Sequence, residues 1–177
     1  MDNGQSLDNY IDSLDGYFAI DPYWKWFKCY EPLLQGLGVS YCKDQGANGT
    51  VLHTDICSPI ATHPTWSRLR PTVQRALWSD GQQLWHDLVR SLEPDVIVAS
   101  VPNQYASGIQ FRGLGAPRDL YTIARTNPYV VTIEEIELTE NRRSWLVKGA
   151  AAQTPLGKVS NEHKRLIGQE LKRVLDG

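Results

Sequence analysis

Residues 71–101 read PTVQRALWSDGQQLWHDLVRSLEPDVIVASV, and the two parts of this stretch have different periods. Across 71–92 apolar residues return every three or four positions, placing Val73, Leu77, Leu84, Leu88 and Val89 on one side. That spacing predicts an amphipathic helix entered through Pro71, where a missing N–H costs nothing, and ended at Glu93-Pro94. Residues 95–101, DVIVASV, are a near-continuous apolar run of the kind buried on both faces in a parallel strand. Just upstream, residues 51–66 read VLHTDICSPIATHPTW. They predict a strand over 50–57 that empties into a proline-punctuated loop holding His53, Asp55, Ser58, Thr62 and His63, then a short helical turn at 66–69. Strand, helix, strand implies a right-handed crossover and an α/β fold. The strand-to-loop junction is where such folds place ligands, at the strands' carboxyl ends.

Working outward, Leu7, Tyr10, Ile11 and Leu14 lie three and four apart as on one helix face, and an aromatic loop at 16–19 follows. Residues 22–37 predict a second helix with Trp24, Phe27, Leu33 and Leu34 inward and Gly36/Gly38 as its stop. Residues 102–112 read as a loop with a short helix, and 113–117 as a glycine-containing turn. Residues 129–138 alternate as a strand does, Glu140-Asn141 is a turn, and 144–148 is the return strand. A small-residue loop, GAAAQTPLG at 149–157, precedes a final amphipathic helix over about 161–175.

The 177 residues suffice for one domain with a continuous core. Cys29, Cys42 and Cys57 form no CxxC pair, and an odd count argues against a secreted disulfide framework. With no apolar run of membrane-spanning length and no signal-peptide pattern, a cytoplasmic protein without a membrane partner is expected. A net charge of −2 excludes the strongly basic signature of a general nucleic-acid binder. Charge is nevertheless unevenly spread: Asp2, Asp8, Asp12, Asp15 and Asp21 lie near the start, and Lys158, Lys164, Arg165, Lys172 and Arg173 in the last twenty residues. A basic face meeting phosphate and a solvated terminal helix both explain the latter. Six tryptophans and eight tyrosines supply either core or stacking platforms.

With these elements placed, the sequence resembles the uracil-DNA glycosylase superfamily. The stretch Val51-Leu52-His53-Thr54-Asp55 stands where that family has an apolar strand ending in a base-reading asparagine. DVIVASV resembles the strand in the middle of the family's sheet, and the AAQTPLG of 151–157 resembles the last-strand loop that in the family reads His-Pro-Ser-Pro-Leu. The resemblance implies a three-layer α/β/α fold with a short, mostly parallel sheet, as a single domain over 1–177. It implies a DNA glycosylase that flips a modified pyrimidine out of single-stranded or duplex DNA and hydrolyses its N-glycosidic bond, acting as a monomer without cofactor or metal. Two departures accompany it. The family's first strand, with its water-handling turn, has no counterpart, so the domain reads as incomplete at its amino end. Ala152, followed by Gln153, falls at the position of the family's catalytic histidine.

Base excision requires an extruded base that is stacked, gripped on its polar edge and relieved of negative charge as it leaves. On this reading Tyr17 or Phe18 stacks, and Asp55 accepts from an exocyclic amine, favouring a cytosine-like base over uracil. His53, two residues away on the same side of an extended chain, is a second polar contact. Gln153 and Thr154 line the leaving-group side, and Pro155, Gly157, Lys158, Lys164 and Arg165 meet the DNA backbone. Each residue has a plainer alternative: Asp55 as a turn cap, His53 as a core histidine, and Ser160-Asn161-Glu162 as an ordinary helix start. A metal site at His53, Asp55 and His63 matches no strong spacing, and three thiols cannot hold a four-cysteine cluster. The competing function is a non-catalytic nucleic-acid-binding or protein-interaction module on the same fold.

Overall fold

The computed structural model describes residues 24–42, 49–57, 63–150, 156–157 and 159–177. They belong to two compact units, one built from 1–52 with 159–177, the other from 53–158.

In the first unit α1 (Trp24–Phe27) and α2 (Glu31–Leu37) replace the single helix expected over 22–37. Pro32 explains the break: it has no N–H to give residue 28, and its ring would clash with that carbonyl. The chain turns at 28–30 and restarts with Pro32 in the first turn of α2. Gly38, at φ +88°, ends α2, donating to the Gln35 carbonyl at 3.1 Å while Val39 donates to Leu34 at 2.9 Å. The next elements along the chain belong to the second unit, and the last helix, α5 (Asn161–Asp176), closes the first. Ser160 caps α5 by accepting from the His163 N–H at 3.2 Å. Leu33, Leu34, Ile167 and Leu171 are buried along α2 and α5.

The second unit begins, after a 3₁₀ turn at Trp66–Arg68, with α3 (Pro71–Leu92), which has the predicted bounds and Pro71 at its start. Its buried face differs from the expected one. Gly81, Trp85, His86 and Val89 are buried, whereas Leu84 and Leu88 are exposed. Trp85 and His86 are amphipathic rings whose nitrogens all find partners inside, so they can occupy the core side despite their polar atoms. The Trp85 Nε1–H donates to the Thr54 hydroxyl at 3.0 Å. His86 Nδ1–H donates to the Gln82 carbonyl at 2.7 Å, and its Nε2 accepts from the Gln110 N–H at 3.0 Å.

The strands are β1 (Val96–Ala99), then, after the short helix α4 (Asn103–Ala106), β2 (Arg112–Gly113), β3 (Arg118–Ile123), β4 (Tyr129–Thr139) and β5 (Arg142–Gly149). The α/β class holds, but the expected mostly parallel sheet does not. β1 pairs parallel with β5, whereas β5–β4, β4–β3 and β4–β2 are antiparallel, giving the order β1-β5-β4 with β2 and β3 both on the outer side of β4. Short connections dictate this, because a two-residue turn at 140–141 can join only antiparallel neighbours. That hairpin was legible in the sequence, whereas β3 was not expected. The strand expected over 50–57 is also missing: residues 50–57 join no ladder, and Leu52 is 60% exposed.

Ile56, Trp85, Val89, Ala99, Ile136, Leu138 and Leu146 form the core between α3 and one sheet face. On the other face Val131, Ile133 and Val147 are fully buried. Arg142, just after the hairpin turn, donates to the Glu93 carbonyl at 3.0 Å and to Asp95 at 2.6 Å, tying the hairpin to the end of α3. The three cysteines are half-buried. Among the described residues no helix is long and apolar enough to cross a membrane.

Candidate functional site

The parallel pair β1/β5 gives this sheet one carboxyl-terminal edge of the kind that binds ligands in α/β folds. Three segments belong with it, one sharing its core and two following its strands. The first is 53–57, whose alternation puts Thr54 and Ile56 inward: Thr54 accepts from Trp85, and Ile56, 4% exposed, shares a core with Ala99 at the end of β1. His53 and Cys57 are half-buried and Asp55 is exposed. Burial holds the His53 imidazole below its ordinary value, with the Asp55 carboxylate pulling the other way. Burial, and then the Asp55 charge, push the Cys57 thiol up to about 11. The segment therefore presents a neutral imidazole and an uncharged thiol beside a carboxylate.

The second and third segments are the residues following β1 and β5. The Ser100 hydroxyl accepts from the Leu156 N–H at 2.5 Å, bringing Leu156 against the residue that follows β1. Leu156 is fully buried with φ +58°, and Gly157 follows at φ +58°. Two consecutive left-handed residues make a sharp turn that Gly157 tolerates and that Leu156 accepts only because its side chain is locked in the interior. Space is tight there: a Cβ on Gly149 would come within 2.8 Å of the Leu156 side chain and 3.0 Å of the Tyr129 hydroxyl. Tyr129 Oη–H donates to the Ala150 carbonyl at 2.7 Å, and the Arg125 guanidinium sits 5.3 Å from its ring centroid. Burial pushes this phenol up to about 12, Arg125 opposing, so it acts as a neutral donor.

Of the residues expected to do chemistry, His53 and Asp55 lie together on the 53–57 segment, and Gly157 is buried in the turn after β5. Tyr17, Phe18, Gln153, Thr154, Pro155 and Lys158 lie outside the described residues. Lys164 stands apart from the expectation of a backbone contact. It is 4% exposed, and its Nζ donates to the Cys29 carbonyl at 2.7 Å, burial lowering its pKa. Its aliphatic stem joins the apolar side of α5, and the charge read as surface is spent inside. Arg165 is exposed on α5. Thr54, Ser100 and Tyr129 were not anticipated. Thr54 had a signal, since it points opposite to its two polar neighbours in an extended chain.

Among the described residues no group of three or more histidine, cysteine or carboxylate side chains is arranged to hold a metal ion. A separate polar hollow of about 300 Å³ is lined by Ser79, Gln82, Gln83, His86, Arg90 and Gln110. Both His86 nitrogens are already committed there, so that imidazole is a structural bridge between α3 and residue 110. No protein-family model, no curated protein and no solved structure matches the chain.

Proposed function

We propose that this protein binds DNA, takes an extruded, amino-bearing pyrimidine at the carboxyl edge of the parallel pair, and hydrolyses its N-glycosidic bond. The observation that carries the reading is the pairing of an exposed Asp55 carboxylate with a half-buried His53 held neutral, both on a segment anchored through Thr54 to Trp85. A carboxylate accepts from the exocyclic amine of a cytosine-like base. A neutral imidazole donates a hydrogen bond to negative charge developing on a leaving base without bringing a mobile proton of its own. Anchoring Thr54 and Ile56 in the core keeps both groups at one setting, which such catalysis requires.

The reading extends the resemblance to uracil-DNA glycosylases and its three-layer arrangement. On that resemblance Gln153 and Thr154 face the leaving group, and Pro155 and Lys158 approach the strand. The protein works as a cytoplasmic monomer without cofactor.

The test is release of free base from single-stranded and duplex oligonucleotides carrying uracil, cytosine or a modified cytosine. The expected result is an abasic product from an amino-bearing base, lost in Asp55→Ala and reduced at least tenfold in His53→Ala. No base released from any oligonucleotide, with binding retained, would select the nucleic-acid-binding alternative; no binding at all would discard both of these and leave the protein-interaction module.

A further inference from the structure

Side chains directly opposed in a sheet register share a face. Glu135 opposes Trp145, Glu137 opposes both Arg143 and Arg112, and Ile133 opposes Arg118. All seven therefore lie on the sheet face away from the α3 core. That face is apolar and buried at Ile133 and Val147, but charged toward the hairpin turn. There Arg112, Glu137 and Arg143 form one row across three strands. Arg112 reaches Glu137 at 3.0 Å, and Arg143 reaches Glu135 at 3.4 Å. Arg118 lies with its guanidinium carbon 5.9 Å from the Trp145 ring centroid.

Exposure decides what this row offers to solvent. The arginine side chains are 75% and 70% exposed, their glutamate partners 29% and 36%. The carboxylates thus lie underneath, and the cations stand outward. Arg118, also exposed, has no carboxylate within ion-pair distance among the described residues. An outward layer of three guanidinium groups around a half-buried indole complements a partner that alternates negative charge with flat rings. Each guanidinium has five N–H donors, far more than one carboxylate contact consumes.

We propose that this face binds single-stranded nucleic acid, with phosphates on Arg112 and Arg143 and unstacked bases against the Arg118–Trp145 pair. A protein partner fits less well, because the arginines stand in solvent and not in the desolvated pockets where interface hot spots lie. A duplex fits poorly because its bases are already stacked on one another. The proposal shares only its nucleic-acid partner with the base-excision reading and needs no catalysis.

The test is fluorescence anisotropy of a labelled oligo-dT of twenty nucleotides at several salt concentrations, using the full chain. Arg118→Ala and Arg143→Ala should each weaken binding about threefold to tenfold at low salt, and Arg143→Ala, which removes a phosphate contact, should also flatten the slope of log K against log salt by ~0.7. Glu137→Gln, which removes a negative charge from the same face without disturbing its packing, should tighten binding. Arg90→Ala, an exposed arginine on α3, should leave it unchanged. Wild-type protein that does not bind oligo-dT at low salt overturns the proposal. So does unchanged affinity in both arginine variants, or equal affinity for a duplex of the same length. Binding that depends on Arg118 and Arg143, in a protein that releases no base from any oligonucleotide, upholds this face and ends the excision reading alone.

Discussion

Gly36 of α2 and Gly168 of α5 meet backbone to backbone. A Cβ built on Gly36 would lie 2.1 Å from the Arg165 carbonyl oxygen, and one on Gly168 would lie 2.1 Å from that of Leu33. Neither obstacle is a side chain that could swing away, so the two helices can touch this closely only while both positions are glycine. Gly168→Ala should therefore destabilise the protein by about 1–3 kcal/mol, the range for overpacking. Alanine's better helix propensity, worth about 1 kcal/mol, acts in the opposite direction. Urea unfolding of the two proteins measures the difference, and a more stable variant would show that the crossing is looser than described.

The hydrogen bond from Trp85 to Thr54 anchors the segment that carries His53 and Asp55. Thr54→Val keeps the shape and removes the acceptor, leaving an indole N–H unpaired beside the core. The expected cost is about 1–3 kcal/mol. Because the segment loses its tether, amide hydrogen exchange at 53–57 should accelerate more than exchange in the β4/β5 hairpin. Uniform acceleration would mean the bond contributes only to global stability.

Ser144 presents a different case. Its hydroxyl is buried on β5, opposite Ile136, without a hydrogen-bond partner among the described residues. Ser144→Ala removes an unsatisfied polar group and should leave stability unchanged or raise it by about 1 kcal/mol. A loss above that size, read from thermal or urea unfolding, would reveal a bound water at this position.

His53 makes stability depend on pH. Its folded pKa lies below the ordinary value near 6.5, so above that pH the imidazole is neutral in both folded and unfolded chains and contributes no slope. As pH falls through about 6.5 the unfolded chain takes up the proton first, and stability drops until the folded pKa is passed. The difference in unfolding free energy between wild type and His53→Gln should therefore change as pH falls from 7.5 to 5, wild type losing more. Asp55 opposes the shift, so Asp55→Asn should steepen the loss. Parallel pH profiles for wild type and His53→Gln would contradict this assignment.

Elements written in local periodicity were legible in the sequence. Helix α3, with Pro71 at its head, the β4/β5 hairpin around Glu140-Asn141, and α5 fall within a residue or two of their predicted bounds. What depended on partners far away was not. The leucines of α3 mark an apolar surface, but which side meets the sheet was settled by Trp85 finding Thr54, thirty-one residues earlier. Lys164 reads as surface charge until its contact with Cys29, 135 residues away, is known. Strand direction followed the same rule, since DVIVASV has the composition of a parallel strand and became the parallel edge of an otherwise antiparallel sheet. At the site, Asp55 and His53 were legible as polar residues in an apolar context. Ser100 and Tyr129 were not, because their roles arise where two chain segments cross.

The outer margin of β4 is shared by two short strands, with residues 114–117 between them and an irregular register at Asp119/Tyr121. A foreign strand approaching that margin finds no straight row of donors and acceptors to copy. It meets two paired residues, a gap ending in Pro117, and then a segment offset in register. Interrupted pairing of this kind protects a sheet from recruiting copies of itself. Arg112 and Arg118 thus stand on the two short pieces of that interrupted margin.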